Sequence, residues 1–196
     1  MVNMYEINKD DEVKKIILEA AKKAFQKWGL YKTTMEDIAK EAGKGKSTLY
    51  YYYKNKDEIF DLIVHDEMSA ALAKTKKIIE KVDSAKEKLK FYIVTTLTEL
   101  KKSLSLYNII REEIKGNKKL LDKIKVQIQA EEELFIKNIL IEGMRRKEFN
   151  FIDETELNKA AKVVYGIIMA MELYLFLDND DLEQIDIAAK LIANGI

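Results

Sequence analysis

No proline occurs anywhere in this chain, and that absence constrains its folding more than any single motif. Proline lacks the amide hydrogen a helix interior needs and clashes with the preceding turn, so it is the usual place where a long helix stops or kinks. Without it, punctuation falls to seven glycines and to capping side chains. Lys, Glu, Leu, Ile and Ala dominate what lies between, and all five are compatible with long helices. The fold class implied is all-α. At 196 residues, 47% of them apolar, the chain is long enough for one ordinary domain or for a small module joined to a larger one.

Several functions are short of material. The absence of cysteine excludes a disulfide framework and a thiolate metal site, and fits a reducing compartment, so the expected address is cytoplasmic. Residues 1–12, MVNMYEINKDDE, form a polar lead-in and not a signal peptide. The most apolar stretch, residues 160–177, carries Lys162 and Glu172, whereas a membrane span needs roughly 20 nearly uncharged residues; it is expected as a buried bundle helix. The only histidine, His65, has Leu62 three residues before it, so the paired Glu-x-x-His pattern of a di-iron bundle is missing. One histidine without cysteine assembles no catalytic triad. The carboxylate runs Glu112-Glu113 and Glu131-Glu132-Glu133 lie in lysine-rich helical stretches and are expected as solvated faces. No catalytic residue, metal or cofactor is therefore expected.

Apolar spacing and caps define nine helices. The first runs from Asp11 to Trp28, with Val13, Ile16, Ile17, Ala20, Ala21, Ala24, Phe25 and Trp28 on one face and Gly29 as its stop. A short second helix starts at Thr33 or Thr34, with Glu36 or Asp37 completing a capping box, and buries Met35, Ile38, Ala39 and Ala42. Gly43-Lys44-Gly45 breaks it, and a third runs from Lys46 to Tyr53. Two short helices separated by a glycine-containing turn make a helix-turn-helix over residues 34–53. A fourth opens on an Asn55 cap and continues to Lys81; the fifth covers 83–102, the sixth 105–115, the seventh 118–147, the eighth 153–177 and the ninth 181–194.

On a helical wheel the third helix has two sides. Leu49 and Tyr53 fall together and must face the first two helices, while Lys46, Ser47, Tyr50, Tyr51 and Lys54 fall opposite; Tyr52 could belong to either side. The second face carries donors and flat rings but no acid, which suits a DNA groove. Net charge is zero, yet between Lys32 and Lys56 six lysines stand against three acids, and local patches matter more than totals for phosphate.

Over Asp11 to about Ala71 the sequence closely resembles the TetR family of transcription regulators. The matching string runs from Gly29 through Thr33-Thr34-Met35-Glu36-Asp37-Ile38-Ala39-Lys40-Glu41-Ala42-Gly43, then Lys46-Ser47-Thr48-Leu49-Tyr50-Tyr51-Tyr52-Tyr53-Lys54-Asn55-Lys56-Asp57-Glu58-Ile59. The resemblance implies that DNA is contacted by Thr34, Lys46, Ser47, Thr48, Tyr50, Tyr51, Tyr52 and Lys56. Thr34, Lys56 and Tyr50 are assigned to phosphate and Lys46, Ser47 and Tyr51 to base edges. Lys44, Gly45 and Ser47 depart from the family's pattern of a small apolar residue, a serine and a glycine. Lys44 is expected to point to solvent or phosphate, and Ser47 alters the groove-facing surface.

Residues 11–71 thus read as a DNA-binding domain and 72–196 as a six-helix domain for ligand binding and dimerisation. The resemblance implies a homodimer on a palindromic double-stranded operator, acting as a repressor that a small-molecule inducer releases. A small, largely apolar inducer is expected among helices four to seven, near Phe91, Leu97, Tyr107 and Phe135. The last two helices are expected to form the dimer interface through Val164, Ile167, Ile168 and Met171, while Gly166 marks either a close helix approach or a packing accommodation within the protomer. An enzyme, or a helical adaptor without DNA affinity, would lack the salt-dependent DNA binding this reading requires.

Overall fold

The computed structural model of the chain describes residues 4–103, 108–109, 118–150, 153–177 and 182–195. Eight helices are described, namely α1 (Met4–Lys32), α2 (Met35–Glu41), α3 (Lys46–Tyr52), α4 (Lys56–Ile79), α5 (Ala85–Ser103), α6 (Lys118–Arg145), α7 (Leu157–Leu177) and α8 (Leu182–Gly195). There is no strand among the described residues, and the fold is all-α as expected. The count of nine is not reached, because the helix expected over 105–115 lies outside the described residues except for 108 and 109, which are helical. The chain divides into two compact units: Met1–Asp66 with Ser105–Gly116, and Glu67–Leu104 with Asn117–Ile196. The division falls inside α4, which contributes residues to both.

In the first unit, α1 buries Ile17, Ala20, Ala21, Ala24 and Phe25, and its alanines let α2 come close with Met35, Ile38 and Ala39. Ile16 and Trp28, expected on the same face, lie at its exposed margin. Phe25 meets Phe60 edge to face at 5.5 Å between ring centroids, a pairing worth about 0.5–1.5 kcal/mol beyond area burial. The helix starts seven residues before the expected Asp11 because nothing in the polar lead-in opposes helix. At Gly29 (φ 78°, ψ 164°) the path leaves helical geometry where the stop was expected, in a conformation side-chain-bearing residues rarely adopt.

The second unit is organised on α5, which packs against α6, α7 and α8, while α6 also packs on α7. Leu89, Tyr92, Ile93 and Leu97 of α5 meet Ile136, Ile139 and Leu140 of α6, Val164, Tyr165 and Ile168 of α7, and Ile185 and Ala189 of α8 in one core. Lys88 joins Glu142 at 2.7 Å across the α5–α6 contact.

The end of α6 shows how local chemistry places a neighbour. The amide of Lys147 donates to the Met144 carbonyl at 3.0 Å and that of Glu148 to Gly143 at 2.8 Å, a Schellman closure with Lys147 in the left-handed region at φ 58°. That turn delivers the Glu148 carboxylate to the start of α5, where the Ser84 hydroxyl donates to it at 2.6 Å and the Lys86 amide at 3.0 Å. Burial alone would raise the Glu148 pKa, but these donors outweigh it and hold the carboxyl below its ordinary range. The same turn lays the buried Phe149 ring over Gly143, where an added Cβ would come within 2.0 Å of the ring. Gly143→Ala should therefore destabilise the protein by about 1–3 kcal/mol, read as a lower denaturant midpoint at unchanged m-value. An unchanged midpoint would mean that Phe149 does not pack there in solution.

Candidate DNA-binding surface and interior cavity

Thr34 caps α2. Its hydroxyl oxygen accepts from the Asp37 amide at 3.1 Å, while the Asp37 carboxylate accepts from the Thr34 amide at 2.9 Å and from its hydroxyl at 2.6 Å. The Thr34 hydroxyl and then its amide hold the Asp37 carboxyl below its ordinary range. This is the expected capping box, with Asp37 as the third residue. Both Thr34 donors are engaged within it, so a phosphate at this position would compete with Asp37. The helix closes by a Schellman motif in which Gly43 (φ 61°) donates to Lys40 at 3.2 Å and Lys44 to Ala39 at 3.0 Å. Gly45 opens α3 without a side-chain cap.

On α3, Leu49 and the following Tyr53 are buried, as the wheel requires. Tyr51 is 77% exposed and Tyr50 half exposed; Lys46 and Ser47 are exposed, and Thr48, Lys44 and Tyr52 are intermediate. The face is not free of acids. Lys46 pairs with Glu36 of α2 at 3.3 Å, and the Tyr52 hydroxyl donates to Asp10 of α1 at 2.7 Å. That bond to a carboxylate, first among the causes, pushes the Tyr52 pKa up to about 12. Tyr52 and Tyr51 meet edge to face at 4.9 Å. Asp10 gives no local signal of this role, since 42 positions separate it from Tyr52.

The Lys56 side chain, which the sequence assigns to phosphate, is engaged within its own unit. Its ammonium donates to the carbonyls of Leu30 at 2.7 Å, Tyr31 at 2.8 Å and Thr33 at 2.8 Å, which fills all three of its donor positions. Asn55 caps α4 by accepting from the Glu58 amide at 2.9 Å, and the Glu58 carboxylate reaches back to the Lys54 amide at 2.7 Å.

The second unit holds a cavity of about 20 Å³ lined by Met68, Ala71, Leu72, Thr75, Thr96, Glu132 and Glu172. None of the expected pocket residues lines it. Phe91 is 43% exposed, Leu97 is part of the core, and Phe135 packs on Tyr92 at 5.1 Å; Tyr107 lies outside the described residues. The expected dimer surface also shifts in phase. Val164 and Ile168 are buried in their own unit and Met171 packs against its core, so among the described residues the large apolar side chains that α7 exposes are Val163, Ile167 and Tyr174. Ile187 and Leu191 stand exposed on α8. Gly166 is exposed, with nothing within 4 Å of an added Cβ. No described helix is long and apolar enough to cross a membrane.

A helix-turn-helix with an exposed tyrosine face, continuous in one chain with an all-helical unit, defines a one-component DNA-binding regulator. Residues 17–63 match the family described as bacterial regulatory proteins, tetR family. The fatty acid metabolism regulator protein of Bacillus subtilis (strain 168) is 31% identical over 156 residues, covering 71% of this chain and 79% of that protein. The uncharacterised HTH-type transcriptional regulator YhgD of the same organism is 46% identical over 74 residues, a match to 38% of this chain and only 35% of that relative. Among solved structures, FadR from Bacillus subtilis in complex with stearoyl-CoA gives a TM-score of 0.69 at 24% identity, covering 93% of this chain and 98% of that one. A putative fatty acid metabolism regulator from Clostridium perfringens gives 0.61 at 26% identity, covering 92% and 98%. The chain belongs to the TetR family. It is a DNA-binding transcription regulator and not an enzyme.

Lys56→Met keeps most of the side-chain stem and removes all three donations. It should cost about 1–3 kcal/mol in denaturant unfolding; an unchanged midpoint would show that the ammonium does not hold those carbonyls.

Proposed function

We propose that this chain is a cytoplasmic repressor that holds a palindromic operator as a homodimer and releases it when a long-chain fatty acyl thioester binds the second unit. One observation carries the ligand class. The likeness to the fatty acid metabolism regulator covers 71% of the chain, more than a helix-turn-helix region can account for, so it extends into the ligand-sensing half. The stearoyl-CoA bound by a protein of the same fold supplies a representative of the ligand.

Residues 11–71 would form the DNA-binding domain and 72–196 the sensing and dimerising one, with Val163, Ile167, Ile187 and Leu191 as the apolar surfaces open to a second copy. Lys46, Ser47 and Tyr51 would face base edges. Tyr50 would donate to phosphate, with Lys44, Thr48 and Tyr52 beside it; Lys56 would contribute its helix-terminal amide while its side chain holds α1. The two α3 helices would enter successive major grooves about 34–36 Å apart or somewhat more.

A cavity of about 20 Å³ has room for about one water molecule. An acyl chain must therefore open the second unit, and its effect on DNA comes from its preference for that opened state. Because α4 begins among the DNA-binding residues and ends in the second unit, displacement of its last turns reaches its first.

Fluorescence anisotropy with labelled DNA from upstream of the protein's own gene tests this. Binding should weaken steeply with salt and be lost on adding stearoyl-CoA but not free coenzyme A; retention of the complex with stearoyl-CoA would refute the ligand class. In the same assay Tyr51→Ala should change which bases are preferred. Lys56→Met should weaken all sequences alike and leave the salt slope unchanged, since its charge is spent on carbonyls.

A further inference from the structure

The two acids in the first turn of α2 are put to different uses. Asp37 closes the cap with Thr34, which turns its carboxylate back onto the helix end. Glu36, one residue earlier, takes no part in that capping box; its Oε2 lies 3.3 Å from the Nζ of Lys46 across the turn of the helix-turn-helix. Lys46 is the first residue of α3, and the first residues of the second helix in such a motif are the ones that reach base edges. The Lys46 side chain is 55% exposed and that of Glu36 77%. A carboxylate held 3.3 Å from a base-reading ammonium enters the groove with it.

In water such a pair contributes little, because both groups are well hydrated and the attraction is screened. Against DNA the water is removed, and the carboxylate must meet a donor or oppose binding. Phosphate oxygens offer none. N7 and O6 of guanine and O4 of thymine only accept, so the donors on the floor of the major groove are N4 of cytosine and N6 of adenine. Lys46 has three donors, of which Glu36 takes one, and two remain for base acceptors.

The order of groups along the base-pair edge decides between cytosine and adenine. A G·C pair presents acceptor, acceptor, donor: N7 and O6 of guanine, then N4 of cytosine. A lysine on the first two and a carboxylate on the third match that order. O6 and N4 are hydrogen-bonded to each other at about 2.9 Å, close to the 3.3 Å between Lys46 and Glu36. An A·T pair presents acceptor, donor, acceptor. A carboxylate on N6 of adenine then has an acceptor on either side, and one lysine offsets only one of them.

We propose that Glu36 is a specificity-determining residue, and that Glu36 and Lys46 together read one G·C base pair in each half of the operator, Lys46 donating to guanine and Glu36 accepting from N4 of the cytosine. This rests on the reading of α3 as the helix that enters the major groove, and adds to it a base contact from α2. The same carboxylate acts against other sequences. Where that base pair is missing, Glu36 faces acceptors and phosphates and opposes binding. Its removal should therefore raise affinity for unrelated DNA while abolishing discrimination at one position, a split that a merely structural residue would not produce.

Selection of binding sites from a randomised duplex library, with the full chain as wild type, Glu36→Ala, Glu36→Gln and Lys46→Met, tests the proposal. All three variants keep the Thr34–Asp37 cap, and equal denaturant midpoints check that they fold alike. Wild type should prefer G·C to A·T by about tenfold at one position in each half-site. Glu36→Ala should reduce that preference to about twofold or less, keep the preferences at other positions, and bind unrelated DNA about threefold tighter or more. Glu36→Gln, which donates as well as accepts, should move the preference at that position toward A·T. Lys46→Met should lose discrimination at the same position. A second measurement addresses the atom itself. N4-methylcytosine placed at that position still pairs with guanine but turns a methyl group into the groove in place of the N–H; it should weaken wild type by about tenfold and Glu36→Ala by about twofold or less. An unchanged G·C preference in Glu36→Ala, loss at different positions in the Glu36 and Lys46 variants, or equal weakening of wild type and Glu36→Ala by N4-methylcytosine would each overturn the proposal and leave groove reading by α3 intact. A wild type that selects no sequence would refute groove reading by α3 and the proposal with it.

Discussion

The ammonium of Lys56 rests on three carbonyl oxygens, and the geometry of the first unit depends on that contact. The backbone leaves helical geometry at Gly29, which strands carbonyls at the end of α1 that the helix cannot satisfy itself. Lys56, the first residue of α4, collects those of Leu30, Tyr31 and Thr33, so the end of α1, the approach to α2 and the start of α4 form one node. Thr33 tightens it from the inside, its buried hydroxyl donating to Gly29 at 2.6 Å and to Ala24 at 3.3 Å. From there the Thr34 cap sets where α2 begins, and Gly43 sets where it ends. The exposed tyrosines of α3 are thereby presented by a chain of local contacts, each of which depends on the one before.

The second unit obeys a different economy. Its core is a continuous apolar packing centred on α5, interrupted by the buried acids Glu132 and Glu172 and by the hydroxyls of Thr75, Tyr92 and Thr96. Buried acids are poor sources of stability.

What was legible in the sequence was local. The capping box at Thr34 and Asp37, the Gly43 closure and the burial of Leu49 and Tyr53 against the exposure of Tyr50 and Tyr51 all follow from spacings of a few residues. The contacts of Lys56 with Leu30, Tyr31 and Thr33 and of Tyr52 with Asp10 span 23 to 42 positions and leave no periodic trace. Helix α7 shows a second limit. It is apolar nearly all round, so a wheel cannot say which face turns inward, and Val164 and Ile168 proved to be core while Val163 and Ile167 are exposed. The cavity was missed because Phe91, Leu97, Tyr107 and Phe135 were expected to mark it and Glu132 to lie on a solvated face, whereas Glu132 is buried and the lining combines threonines, acids and apolar residues of α4.

The central claim is that operator and acyl ligand prefer different states of one dimer. Linkage then demands reciprocity, since a ligand that weakens DNA binding by some factor must itself bind the DNA-bound protein more weakly by the same factor. The most direct measurement is the affinity of stearoyl-CoA for the free protein and for the protein saturated with operator, set beside the affinity of the operator with and without the ligand. The account predicts that the two ratios agree and both exceed about fivefold. Equal stearoyl-CoA affinities for free and operator-bound protein would contradict it.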